Sequence, residues 1–119
     1  MIPFPNKKYN IIYADPAWKY ISKDSKRYNG TRFHKLENHY KTMSDKELKE
    51  LPVKNITLED SAIFMWATDS HIPNAIDLMT NWGFKYITVA FVWEKRTVND
   101  KLVSNLGTWT MKNYELCLF

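Results

Sequence analysis

Three short apolar runs separated by two helical segments place this chain of 119 residues in the α/β class. The runs are Asn10 to Ala14, Ala62 to Ala67 and Tyr86 to Trp93, each rich in β-branched or aromatic residues and short enough for a strand. A fourth, Tyr114 to Phe119, lies at the end of the chain. Strand, helix, strand, helix, strand in this order predicts a parallel sheet joined by right-handed crossovers.

Each element has its own signal. The first strand runs into Asp15-Pro16, where the proline ends it. Ser44-Asp45-Lys46-Glu47 is a capping box, with Leu48 and Leu51 as a short apolar face and Pro52 as the stop. In the second helix Ser70 is the expected cap and Pro73 lies in the first turn. Ile72, Ile76, Met79 and Trp82 then recur at spacings of three and four, and Gly83 closes the helix. That stripe is packing. Between Asp15 and Thr42 there is neither helical nor alternating pattern, only charges, aromatics and the turn pair Asn29-Gly30. So long a stretch without regular structure is uncommon in a compact domain and tends to be functional.

Composition narrows the function. Hydrophobic residues make up 45% of the chain and charged residues 25%, the balance of a globular domain, and no apolar run reaches the length of about 20 residues needed to span a membrane. The N-terminus lacks the basic start and apolar core of a signal peptide. The single cysteine, Cys117, has no internal partner, which fits a reducing cytoplasm. His34, His39, His71 and Cys117 lack metal-site spacing, so no metal is expected. Charge is concentrated. Lys19, Lys23, Lys26, Arg27, Arg32 and Lys35 face only Asp24 in one stretch, and the whole chain carries a formal +4. Tyr20, Tyr28 and Phe33 are interleaved with those cations, the pattern of a segment that grips phosphates and stacks on bases; a solvated basic loop is the plainer alternative. Lys95 and Arg96 open a second loop, reaching to Lys112, which is either a further backbone contact or an ordinary hairpin connection.

Asp15-Pro16-Ala17-Trp18 follows the first strand directly, where ligands of open α/β sheets bind. The Asp15 carboxylate and the Pro16 carbonyl are hydrogen-bond acceptors, and Trp18 offers a flat face. Two acceptors and a stacking plane suit the exocyclic amine of a flipped-out nucleobase. Drawing its two protons toward a tetrahedral arrangement would localise the lone pair for attack on an electrophilic methyl group.

The tetrapeptide resembles the Asp-Pro-Pro-Trp signature of the N6-adenine methyltransferases related to the catalytic subunit of the mRNA adenosine methyltransferase, a family that includes bacterial and phage DNA adenine methyltransferases. The similarity continues through Tyr40-Lys41-Thr42-Met43-Ser44, Phe64-Met65-Trp66-Ala67-Thr68, Asn81-Trp82-Gly83-Phe84, Trp93-Glu94-Lys95, and Trp109 followed by Asn113 to Leu118. The resemblance implies a Rossmann-like methyltransferase fold over residues 1–119, with S-adenosylmethionine as methyl donor and adenine N6 as acceptor, in DNA in preference to RNA. It implies catalytic roles for Asp15, Pro16, Ala17 and Trp18, with Asp15 and Pro16 also at the cofactor. Tyr20, Tyr40, Trp66 and Glu115 become substrate-binding residues. A core tryptophan and a glutamate at the solvated end of a strand are the structural alternatives for the last two. Ala17 stands where the commonest motif has its second proline, which leaves the turn less rigid. In the family the domain continues beyond the strand resembling Leu116 to Phe119 with segments that hold much of the cofactor. The resemblance therefore implies a domain incomplete at its C-terminal end. The alternative is an inactive nucleic-acid-binding remnant, or a subunit completed by a partner chain or dimer.

Overall fold

The computed structural model describes residues 3–19, 41–103, 105–106 and 110–119. Its elements are β1 (Tyr9–Ala14), α1 (Asp45–Lys49), a 3-10 turn (Val53–Ile56), β2 (Thr57–Ala67), a second 3-10 turn (Asp69–His71), α2 (Ile72–Asn81), β3 (Val89–Glu94), β4 (Asn105–Leu106), β5 (Met111–Lys112) and β6 (Tyr114–Leu118). β4 and β5 form a small ribbon, and the other four strands make one sheet in the order β1-β2-β6-β3.

The sheet is mixed, which corrects the parallel sheet expected. β1 and β2 are parallel, but β6 enters antiparallel between β2 and β3, so β2 and β3 are not hydrogen-bonded neighbours. The reason lies in the connections. β1, β2 and β3 are separated by crossovers and run the same way, whereas β6 returns from β3 through a hairpin, which only an antiparallel pair permits.

The capping box forms as expected. The Ser44 Oγ accepts the Glu47 N–H at 3.3 Å, and Glu47 Oε2 accepts the Ser44 N–H at 2.8 Å. Those bonds to Ser44 hold the Glu47 carboxyl below its ordinary range. Gly83 also closes α2 as expected. At φ 96° it donates to the Thr80 carbonyl while Phe84 donates to Met79, the paired bonds of a Schellman motif. Ser70, by contrast, is not the helix cap. It lies inside the 3-10 turn, α2 begins at Ile72, and no side chain caps its first turn. β2 begins earlier than its apolar run, because the exposed Leu58, Glu59 and Asp60 extend it. β3 begins later, at Val89, beyond two residues whose amides reach the Phe119 carbonyl.

The two helices share one core. Ile63, Met65 and Ala67 alternate along β2 and meet Ala75, Leu78 and Met79 of α2, with Leu48, Trp82 and Leu118. The Trp82 indole N–H donates to the Leu48 carbonyl at 3.1 Å, tying α2 to α1. The opposite face carries Ile11, Tyr13, Phe64, Trp66, Phe91, Trp93 and Cys117, because successive residues of a strand point to opposite faces. Phe64 packs against Phe91 and Phe119 there. Ile11, Tyr13, Phe91 and Trp93 remain 52–70% exposed, and no helix among the described residues covers them.

Candidate active site

β1, β2 and β3 point their carboxyl ends in one direction, and β6 begins at that same edge. The edge therefore collects Asp15, Trp66, Trp93 and Glu115, with Trp93 directly opposite Glu115 in the sheet register. With Tyr13 and Val92 they line an open cleft of about 520 Å³. Its position beyond the carboxyl ends of parallel strands is the usual one for a ligand of an open α/β sheet.

Within the cleft the aromatic groups order one another. The Trp66 indole N–H donates to the Tyr13 hydroxyl at 2.6 Å, and the Trp66 and Trp93 rings meet edge to face with centroids 6.4 Å apart. Lys95 Nζ lies 3.4 Å from Glu115 Oε1 and 5.0 Å from the centre of the Trp93 ring. The ammonium thus touches a carboxylate and an aromatic face together. Asp15 is exposed, and no cation among the described residues pairs with it, so its carboxylate is open to a hydrogen-bond donor.

The tetrapeptide turns sharply after β1. The Trp18 amide donates to the Pro16 carbonyl at 2.8 Å, a three-residue turn centred on Ala17, and the Ala17 carbonyl accepts the Met43 amide at 2.8 Å. These bonds brace the position where the commonest motif has its second proline. The first also occupies one lone pair of the Pro16 carbonyl, and no second donor among the described residues takes the other.

Asp15, Trp66 and Glu115 come together in the lining of one cleft. Trp18 goes elsewhere. Its indole N–H donates to the Trp66 carbonyl at 3.1 Å, its ring stacks on His71, and it packs against the helix-side core. The flat faces in the cleft belong instead to Trp66 and Trp93. Tyr13 and Trp93 were legible only as strand residues. Their signal is the period of two, which puts Tyr13 on the face of Trp66 and two residues from Asp15. Tyr20, Tyr40, Lys23, Lys26, Arg27, Arg32 and Lys35 lie outside the described residues. Lys19 is exposed.

Three cations of the second basic loop are engaged, while Lys101 is exposed and has no ion pair among the described residues. Arg96 pairs with Glu94 at 3.0 Å and Asp100 at 3.1 Å, Lys112 pairs with Asp69, and Lys95 holds Glu115. The two carboxylates hold the Arg96 guanidinium protonated beyond its ordinary range. Among the described residues no cluster of His, Cys, Asp and Glu could hold a metal ion, and no helix is long and apolar enough to cross a membrane.

Residues 9–119 match the MT-A70 family. The chain belongs to that family. It is also 40% identical over 128 residues to a type II methyltransferase, M.MunI, of a Mycoplasma species, an alignment that covers 96% of this chain and 51% of that protein. The chain spans about half the length of this curated relative. The family resemblance carried by Asp15 to Trp18 and the ordered motifs behind it is thus confirmed.

Proposed function

We propose that this chain is the target-base part of a Rossmann-like methyltransferase that transfers the methyl group of S-adenosylmethionine to adenine N6, in DNA in preference to RNA. The observation that carries this reading is the cleft itself, with an Asp15 carboxylate that no cation pairs among the described residues, two tryptophan rings and the Lys95–Glu115 pair at one sheet edge. An adenine ring stacks against Trp66 or Trp93 while its amine donates to the Asp15 carboxylate and the second lone pair of the Pro16 carbonyl. Both acceptors draw density toward N6, and the Asp15 carboxylate takes the proton that N6 loses as its bond to the methyl carbon forms and the donor's S–C bond breaks. Aromatic walls exclude water from one side of the base. The preference for DNA follows the bacterial and phage members of the family that the motifs resemble; the Mycoplasma relative, a type II methyltransferase, is likewise bacterial.

The donor-set chemistry fits S-adenosylmethionine in part: Asp15 is open to an ammonium group, and Pro16 adds a carbonyl beside it. When bound, the donor supplies an electrophilic methyl on a sulfonium. The basic stretch from Lys19 to Lys35 is the proposed contact to the nucleic-acid backbone. The single, buried Cys117 is in keeping with a reducing cytoplasm.

A second reading draws support from the exposed residues of the sheet face opposite the helices. Ile11, Tyr13 and Phe91 are apolar or aromatic and exposed, whereas sheets of α/β domains are ordinarily covered on both faces. On this reading the chain is a nucleic-acid-binding subunit that needs further polypeptide for activity.

Titration of S-adenosylmethionine into the folded chain by calorimetry, followed by methyl transfer to an adenine-containing duplex, tests both. One-to-one binding with transfer that disappears in Asp15→Ala supports the enzyme. Salt-dependent DNA binding that survives Asp15→Ala, without donor binding or transfer, supports the subunit.

A further inference from the structure

His71 is the only polar residue in the buried set among the described residues, at 6% exposure. Both ring nitrogens are engaged. Nε2 lies 3.0 Å from the Lys19 carbonyl oxygen, and Nδ1 lies 2.7 Å from Thr68 Oγ1. A carbonyl has no proton to give, so Nε2 carries the hydrogen and donates it. In the neutral ring, the Thr68 hydroxyl donates to Nδ1. The imidazole also stacks on Trp18, with ring centres 5.4 Å apart and planes at 17°.

The Nε2 bond and the ring stack fall on Lys19 and Trp18, the residues that follow Asp15, Pro16 and Ala17, while Nδ1 is held by Thr68 just beyond β2. Trp18 is held on a second side by the Trp66 carbonyl. The Asp15 side chain makes no hydrogen bond among the described residues, so its placement depends on how the next residues are anchored. A histidine needed only to fill the core would not require a partner on each nitrogen, because an apolar side chain of similar volume does that without the desolvation cost.

We propose that His71 is a positioning residue of the site, locking the Asp15–Trp18 turn to the end of β2 through the Lys19 carbonyl and the face of Trp18. Its catalytic meaning rests on the methyltransferase reading; its anchoring role does not. Holding the turn fixes where the carboxylate and the Pro16 carbonyl meet an amine, and a misplacement of about 1 Å at such a site can cost about 100-fold in rate.

Two variants separate the contacts. His71→Phe keeps an aromatic face and loses both hydrogen bonds. His71→Gln keeps a donor near the position of Nε2 and loses the face. The first readout is hydrogen exchange of the Trp18 indole N–H, assigned by its loss in Trp18→Phe, against the Met65 amide in the middle of the sheet. The expected result is at least about tenfold faster indole exchange in His71→Phe with Met65 unchanged, and partial recovery in His71→Gln. Indole exchange within twofold of the wild type, or equal acceleration at Met65, would overturn the proposal. Should His71→Phe fail to fold, His71→Gln decides by the same comparison. The second readout is methyl transfer, where His71→Phe should lower kcat by about 10- to 100-fold with KM for DNA little changed. An unchanged kcat would overturn the catalytic part. A wild-type chain without methyl transfer counts against the proposed function, and the exchange comparison still decides whether His71 holds the turn.

Discussion

The Trp66 indole N–H donates to the Tyr13 hydroxyl at 2.6 Å, joining the ends of β1 and β2 across the cleft. Tyr13 is 70% exposed, so water competes for its hydroxyl and the bond adds no more than about 1 kcal/mol to folding. Its larger effect is orientational, since it fixes the Trp66 ring relative to Asp15 two residues beyond Tyr13. Tyr13→Phe is expected to leave the urea midpoint nearly unchanged and to weaken binding of an adenine nucleotide about three- to tenfold. Parallel denaturation and calorimetric titration check this. An equal loss in both would make Tyr13 a stability residue only.

Ala17 is the centre of a turn closed by the Trp18 amide and the Pro16 carbonyl, and it has no positive φ. The inverse form of such a turn needs φ near −75°, close to the value that proline imposes. No hydrogen bond from the Ala17 amide is present among the described residues. Ala17→Pro is therefore expected to stabilise the chain by about 0.4–1 kcal/mol through the unfolded state. A raised urea midpoint at constant slope is the expected result. A lowered midpoint would mean that the turn cannot take the proline geometry.

Much of this architecture is legible in the sequence because its signals are local. The capping box at Ser44 and the glycine after α2 satisfy backbone groups within a few residues, and the stripe from Ile72 to Trp82 states which face of α2 is buried. The strand order is not local. Nothing near Tyr114 says that β6 enters between β2 and β3, because that depends on a hairpin return across the sheet. The site divides in the same way. Asp15, Trp66 and Glu115 meet because each lies where a strand ends or begins at one edge. Trp18 leaves the cleft because a carbonyl of β2 and the face of His71, both distant in sequence, satisfy its indole better than a solvated pocket does. His71 itself lacked any sequence signal beyond being a lone histidine at a helix start.

Leu78 is fully buried on α2 between the sheet and α1, and Leu48 and Met79 are buried in the same cluster. Leu78→Ala removes apolar surface and leaves a cavity that the packed neighbours cannot fill, at a cost of about 2–5 kcal/mol. Thermal unfolding should show a drop of at least about 10 °C for a domain of this size. A drop of only a few degrees would show that α2 can shift to close the space.

Cys117 lies in the central strand β6, opposite both Trp66 and Phe91, and its thiol is raised above the ordinary range by burial alone. The thiolate is the reactive form, so iodoacetamide should label the native chain slowly, and labelling should follow unfolding as urea is raised. The linkage has a definite sign. In the unfolded chain the thiol deprotonates first, so its contribution to stability is complete below the ordinary thiol range and declines as pH rises through and above it. The difference in urea midpoint between wild type and Cys117→Ala should therefore shrink or reverse between pH 7 and pH 9.5, ordinary titration of exposed tyrosines and lysines being common to both. A pH-independent difference, or rapid labelling of the folded chain, would mean that the face opposite the helices opens far enough to hydrate the middle of the sheet.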